Sequence, residues 1–175
     1  MIRIRDQLFS TRGASLCLLA IVFWWLAFPV AYRMVVPPSW YLDVRSIYVA
    51  DAPMGTSPAV ILDRDINRNF IGDFEATVRA VDAVDGTIWT YCQPGERGDI
   101  PYIAGRPYPG RNLDWWLGSP PAAKCPIIPG KYQLRIEWTI NAFFGLIQMH
   151  MTRESQPFTI YDPGTASFMP MSAGR

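Results

Sequence analysis

The most regular hydrophobic pattern in the chain is a strict alternation in its second half. Across residues 131–141, every second position is apolar, and the apolar positions are Tyr132, Leu134, Ile136, Trp138 and Ile140. Because successive side chains of a β-strand point to opposite faces, the pattern predicts a long strand with one buried face. Residues 73–80 alternate in the same way and predict a second strand.

Shorter apolar segments predict further strands. The pair Asp85 and Gly86 is a strong signal for a hairpin turn, and it leads into a predicted strand over residues 87–92. Four more strands are predicted over residues 43–50, 59–62, 146–152 and 157–161. About seven short strands separated by turn residues are typical of a mainly β, antiparallel β-sandwich domain.

The N-terminal region has a different pattern, an uninterrupted apolar run. Residues 14–32 carry no charge, and 19 residues of helix span roughly 28 Å, enough to cross the hydrocarbon of a bilayer. Arg3, Arg5 and Arg12 precede the run and favour a cytoplasmic N-terminus. The run therefore predicts a transmembrane signal-anchor helix over residues 14–36 of an inner-membrane protein, with the C-terminal part periplasmic or otherwise extracytoplasmic.

A cleaved signal peptide is the alternative interpretation of the same run. An arginine-flanked apolar segment that ends in small residues is also typical of a secretion signal, with cleavage after Ala31. Pro29 at the −3 position and the length of the run favour an uncleaved anchor. The predicted organisation is a cytoplasmic segment (1–13), the anchor (14–36), an exported β-domain (37–161) and a flexible C-terminal tail (162–175) rich in Pro, Gly, Ser and Ala.

One stretch carries a resemblance to a known class of domain. Residues 129–138, with the sequence Pro-Gly-Lys-Tyr-Gln-Leu-Arg-Ile-Glu-Trp, resemble the turn and penultimate strand of immunoglobulin-like and fibronectin type III domains. Tyr132 stands where the tyrosine corner of those domains falls. The resemblance implies an immunoglobulin-like β-sandwich and no particular activity. The cysteines depart from the antibody pattern, because neither Cys92 nor Cys125 lies two residues after Tyr132.

The three cysteines differ in their predicted environment. Cys17 lies within the apolar run and is expected to be an inert small hydrophobe. Cys92 and Cys125 both lie in the exported part, where an oxidising compartment favours a disulfide between them. Closing a loop of this length contributes about 3 to 4 kcal/mol to stability on the chain-entropy model.

The segment between these cysteines, residues 93–124, is rich in glycine and proline and predicts a long tethered loop. It carries four aromatic residues that are candidate anchors for a protein partner: Tyr102, Tyr108, Trp115 and Trp116. The alternative is that the two tryptophans cover the open end of the sandwich, since large aromatic side chains are mostly buried.

Two weak metal patterns occur in the exported part. Asp63, Asp65, Asn67 and Asn69 repeat oxygen donors as the start of an EF-hand loop does, but Arg68 stands where that loop needs glycine, which favours a polar loop between strands. Met149, His150 and Met151, with the distant Met169 and Met171, suggest a copper site. On a strand, however, both methionines point to one face and His150 to the other, so a core-facing stripe is favoured.

No catalytic motif stands out. His150 is the only histidine, and neither a Gly-x-Ser-x-Gly nor a His-Glu-x-x-His motif occurs. We predict no cofactor and no enzymatic activity. From Pro37 onward 12 basic residues face 14 acidic ones, and the lack of a basic patch argues against nucleic acid as a partner.

The sequence thus predicts a non-enzymatic single-pass membrane protein whose exported domain binds a protein partner or forms a homo-oligomer. A small anchored protein of this kind suits a bacterial envelope or a bacteriophage that acts there. The alternatives are a periplasmic copper-handling module and a structural component of a membrane-associated virion or secretion assembly.

Overall fold

The computed structural model describes residues 11–82, 84–90, 92, 95–118, 128–143 and 145–164. The chain begins with helix α1 (Thr11–Val35) and a 3-10 turn (Pro38–Trp40), and one short helix, α2 (Leu113–Leu117), lies among the strands. The strands are β1 (Leu42–Val49), β2 (Ala52–Pro53), β3 (Ala59–Ile66), β4 (Phe70–Val81), β5 (Ile88–Thr90), β6 (Gly95–Tyr102), β7 (Arg111–Asn112), β8 (Gly130–Ala142), β9 (Ile147–Glu154) and β10 (Phe158–Tyr161).

Helix α1 is apolar and faces outward along most of its length. Its segment Gly13–Val35 has a mean hydropathy of 2.2, and none of it is buried inside the protein. The one long helix of the described residues is therefore long and apolar enough to cross a membrane, a property that a signal sequence shares. Pro29 lies within the helix, as membrane helices tolerate.

The strands form two sheets, one of three strands and one of seven. The three-stranded sheet has the order β1-β3-β7. The larger sheet is built on β4 and β8, which pair antiparallel over ten residue pairs from Ile71 with Asn141 to Ala80 with Tyr132. Strands β5 and β6 share the other edge of β4, while β9 and β10 share the other edge of β8. The β-domain thus consists of two long central strands with shorter strands around them.

The hydrophobic core lies on the face of β4 and β8 that the sequence alternation marks. The even-numbered side chains of β8 from Tyr132 to Ala142 are all buried, as are Phe74, Ala76 and Val78 of β4. Leu42 and Val44 of β1 and Val60 and Leu62 of β3 contribute the opposing side of the same core. Burying these apolar side chains supplies the main driving force for packing the two sheets together.

The seven strands expected from the sequence are all present, with shifted ends. Residues 131–141 lie within β8 and 73–80 within β4, and the turn at Asp85 and Gly86 joins β4 to β5. Gly86 adopts a φ of 72°, which glycine reaches without a steric penalty. The Asp82 carboxylate accepts a hydrogen bond from Val84 N, which closes the same turn.

The expectation that residues 93–124 form one long loop is wrong. Strand β6 occupies eight of these residues and pairs with β4, while β7 and α2 follow within the same segment. The physical reason is that β4 would otherwise expose an unpaired backbone edge along half its length. Pro101 fits because an edge strand tolerates a residue without an N–H group.

The tyrosine predicted to form a corner makes a hydrogen bond of the expected kind. The Tyr132 hydroxyl donates to the carbonyl oxygen of Ile128, four residues earlier, at 2.8 Å. The strand order of the two sheets does not by itself identify an immunoglobulin-like topology, and β10 pairs with β2 in parallel. The fold is a mainly β domain of two sheets behind an apolar helix.

Candidate functional site at the junction of helix and sheet

The structure brings the four aromatic candidates of residues 93–124 together, but not as an exposed surface. Trp116 is 1% exposed and Tyr102 is 6% exposed, whereas Tyr108 and Trp115 are half-buried. Trp116 packs edge-on against Phe74 at 4.7 Å between ring centroids, and its Nε1 donates to the Tyr108 hydroxyl at 3.0 Å. These aromatics therefore continue the core across the face of β4.

The expected exposure is wrong for Tyr102 and Trp116. Trp116 is buried, as expected if the tryptophans cover the open end of the sandwich. The reason is that β6 and α2 lie against β4, which turns their aromatic side chains inward. A side chain without exposed surface is not available to anchor a partner. For Tyr108 and Trp115 the partner-binding role stays a prediction.

The predicted disulfide joins one described cysteine to one that lies outside the described part of the chain. Cys92 is buried, whereas Cys17 is an exposed free thiol on α1. Cys125 lies outside the described residues. The bridge between Cys92 and Cys125 therefore stays a prediction.

The two aspartates of the EF-hand-like pattern lie on a strand and bind an arginine. Asp63 and Asp65 project from the exposed face of β3, and Arg45 of the neighbouring β1 binds both, with its Nη1 2.8 Å from Asp65 Oδ2. The Arg45 guanidinium lowers the pKa of the Asp63 carboxyl, and the two carboxylates raise the pKa of Arg45. The expected polar loop between strands is wrong for residues 63–66, which extend strand β3, and is confirmed for the exposed residues 67–69 between β3 and β4.

The methionines considered for copper face the core as their spacing predicts. Met149 and Met151 are buried on β9, and His150 lies on the opposite, exposed face, 3.3 Å from the Thr139 hydroxyl. Met169 and Met171 lie outside the described residues. No group of three or more His, Cys, Asp or Glu side chains in the described part of the chain is arranged to hold a metal ion.

The feature that sequence reasoning missed is the junction between helix α1 and the β-domain. The Tyr32 hydroxyl in the last turns of α1 lies 2.7 Å from the Tyr41 hydroxyl, and Val36 is buried in the core just after the helix ends. Burial, followed by the hydrogen bond to Tyr32, raises the pKa of Tyr41 to about 12. The helix is therefore attached to the domain by packing as well as by the chain.

A second contact at this junction comes from the turn between β8 and β9, of which Phe143, Gly145 and Leu146 are among the described residues. The Phe143 ring packs edge-on against Tyr32 and Phe28 of α1, with centroid distances of 4.9 and 5.4 Å. Phe143 has a φ of 49°, the left-handed region that bulky residues seldom adopt and that costs on the order of 1 kcal/mol. The sequence did carry a signal for this contact, because the turn is apolar where polar residues and glycine are usual.

A cleft of about 720 Å³ opens beside this turn. Tyr41, Phe70 and Phe143 contribute aromatic walls, and Asp99 with Asn141, joined by a 3.1 Å hydrogen bond, contributes a polar one. Tyr102 closes the inner end by stacking on Phe70 with ring centroids 4.4 Å apart. Burial raises the pKa of Tyr102 to about 12.

One arginine lies on the core-facing side of β3 behind the same aromatics. The Arg64 guanidinium carbon is 5.5 Å from the Tyr102 ring centroid and 5.2 Å from that of Tyr108. Burial lowers the pKa of Arg64, and the two rings stabilise its charge by cation–π contact. Arg64 therefore links β3 to the end of β6 at Tyr102 and to Tyr108 in the segment that follows.

Comparisons of the chain with protein-family models, with curated proteins and with solved structures find no match. Function is therefore argued from the helix, the two sheets and the junction between them.

Proposed function

We propose that the protein is a single-pass membrane protein whose immunoglobulin-like β-domain serves as a non-enzymatic binding or assembly module on the outer side of the membrane. The observation that carries the proposal is the junction described above, in which an exposed apolar helix ends in aromatic contacts with a folded β-domain. Such contacts hold the domain close to the end of the helix.

The junction also favours an uncleaved anchor over a signal peptide. Helix α1 continues without interruption past Ala31, and Phe28 on its N-terminal side contacts Phe143 of the β-domain. Cleavage after Ala31 would remove this contact and leave Tyr32 at the new terminus. An uncleaved anchor keeps both the contact of Phe28 with Phe143 and the position of Tyr32 within the helix.

A binding or assembly role for the domain is supported by its side chains. The carboxylates of Asp63 and Asp65 on the exposed face of β3 are engaged by Arg45. Trp115 is partly exposed, and the Arg111 guanidinium carbon lies 5.3 Å from its ring centroid. Among the aromatic residues of 93–124, Trp115 is therefore the one best suited to contact a protein partner. Tryptophan and arginine are the residue types most often found at binding hot spots.

The experiment has two parts, of which the first tests the anchor. Native membranes extracted with alkaline carbonate should retain the full-length chain. In a separate experiment, protease added to intact cells or spheroplasts should digest the C-terminal domain, because the domain lies outside. Recovery of a soluble chain shortened by the apolar segment would support the signal-peptide interpretation instead.

The second part tests binding. Chemical crosslinking in the native membrane should give a defined adduct with a partner chain or with a second copy. The Trp115→Ala variant should reduce this adduct, whereas the control Met54→Ala, at an exposed position on another turn, should not. An unchanged adduct in Trp115→Ala, with the fold intact by circular dichroism, would contradict a role for this residue.

A further inference from the structure

We infer that the turn between β8 and β9 is a second membrane contact. It holds the β-domain at the lipid surface beside helix α1. The inference rests on the proposed function, because it takes α1 to span the bilayer. The occupant of this apolar turn is the interfacial region of the outer leaflet, and the turn contacts it through Phe143 and Leu146.

The turn is uncharged, as is the turn at residues 54–58, and it differs from that turn in carrying two large exposed apolar side chains. From Ala142 to Ile147 no residue is charged, and Phe143 and Leu146 are 45% and 54% exposed. The turn between β4 and β5 instead carries Asp82 and Asp85, as expected of a turn in water. An apolar hairpin tip with exposed large side chains points to a non-aqueous neighbour.

The contacts of Phe143 place the turn at the depth of the helix end. Arg33 is exposed in the last turn of α1, and its charge places that level of the helix among the lipid headgroups. Phe28 lies five residues earlier, about 7 Å deeper along the helix axis. Because the Phe143 ring contacts Phe28 as well as Tyr32, the tip of the turn reaches below the headgroups whenever α1 spans the bilayer.

The backbone of the turn supports the same conclusion. Phe143 holds a left-handed φ of 49° although Asn or Gly would adopt it more readily. The aromatic ring at this position therefore stands where the backbone favours another residue type. A contact with helix and lipid gives the ring a role that a water-exposed turn would not need.

Trp40 is a further exposed aromatic residue close to the end of the helix. It lies half-exposed in the 3-10 turn that directly follows α1, with the Arg68 guanidinium carbon 4.9 Å from its ring centroid. Tryptophan with a neighbouring cation is suited to the boundary between acyl chains and anionic headgroups. Trp40 is thus a second candidate for contact with the lipid interface near the end of the helix.

The test measures the depth of single fluorescent labels on the full-length chain in phosphatidylethanolamine and phosphatidylglycerol vesicles. In a Cys17→Ser background, Leu146→Cys is labelled with a nitrobenzoxadiazole maleimide, and the unsubstituted background measures any reaction at the other cysteines. The control is Val84→Cys, 96% exposed in the turn at the opposite end of β4, which is about 40 Å long. Native Cys17 in the wild-type chain reports on insertion of α1.

The label at position 146 should lose most of its emission to lipids with a nitroxide near the headgroup and should resist aqueous cobalt. The label at position 84 should be quenched by aqueous cobalt and should keep its emission in the presence of the nitroxide lipids. If 146 behaves like 84 while Cys17 is quenched by lipid, the turn does not contact the membrane although the anchor stands, and the inference is overturned. If Cys17 is also accessible to cobalt, the anchor itself fails.

Protein contact is distinguished by the same quenchers. A label at 146 that resists both cobalt and nitroxide lipids would lie against protein, such as a second copy, and would overturn the inference. As a further check, Phe143→Asn keeps a residue that tolerates the left-handed backbone but removes the ring. It should make the label at 146 more accessible to cobalt. An unchanged accessibility would argue against a role of Phe143 in holding the turn at the membrane.

Discussion

The Tyr32 hydroxyl at the end of the apolar helix lies 2.7 Å from the Tyr41 hydroxyl at the start of the β-domain. Tyr41 is buried beside Phe70, whose ring centroid is 6.1 Å away, so the bond connects the helix directly to the core. A hydrogen bond in this position restricts the angle between helix and domain, which a chain connection alone would leave free.

Removing this bond should weaken the junction. Tyr32→Phe and Tyr41→Phe should each lower the free energy of unfolding by about 0.5 to 1.5 kcal/mol, the usual net value of a hydrogen bond. The double variant should cost no more than either single one, because both substitutions remove the same bond. Denaturant unfolding of the full chain in detergent micelles measures all three, and additive losses would show that the two hydroxyls act independently.

The two neighbouring tryptophans should respond differently to truncation. Trp116→Ala removes a fully buried ring and should lower the free energy of unfolding by about 3 to 5 kcal/mol. Trp115→Ala removes a half-buried ring stacked on Phe74 and should cost about 1 to 2 kcal/mol. Thermal unfolding of both variants checks the order, and equal losses would contradict the placement of α2. Partner binding must therefore be tested with Trp115→Ala alone.

Two strand glycines form a matched pair. A Cβ at Gly72 of β4 would overlap the carbonyl oxygen of Thr139 on the adjacent β8, whereas a Cβ at Gly98 of β6 would meet open space. Gly72→Ala should therefore lower the free energy of unfolding by about 1 to 3 kcal/mol, and Gly98→Ala should leave it nearly unchanged. A tolerated alanine at 72, measured by denaturant unfolding, would be inconsistent with the close approach of β4 and β8.

The buried tyrosine beside the cleft predicts a loss of stability at alkaline pH. Burial raises the pKa of Tyr102 from its ordinary value near 10 to about 12, so the folded protein binds the phenol proton more tightly than the unfolded chain does. This contribution is fully present below pH 10 and is lost as the pH rises toward 12, by about 2 kcal/mol.

Comparison with a variant isolates the contribution of Tyr102. Unfolding free energies measured between pH 9 and pH 12 should fall more steeply in the wild type than in Tyr102→Phe, which lacks the titrating group. Tyr48→Phe, at an exposed position of β1, is the control and should follow the wild type. Equal slopes in all three proteins would show that the Tyr102 phenol is not protected by burial.

The elements of this protein were determined largely by its sequence. The apolar run predicted α1, and the alternation within residues 131–141 predicted β8 and the face of it that is buried. Both signals are local, because a helix or a half-buried strand must repeat its apolar positions with its own period wherever it lies in the fold. The turn at Asp85 and Gly86 was equally local, since the backbone preference of two residues decides it.

Tertiary structure alone decided which aromatic residues remain accessible. Glycine and proline made residues 93–124 resemble a loop. In the structure, however, β6 pairs with the otherwise free edge of β4, and α2 places Trp116 in the core. Likewise, nothing local in the sequence brings Phe143 to Phe28 and Tyr32, which precede it by more than a hundred residues. Burial depends on what covers a side chain, and in both places the cover comes from a distant part of the chain.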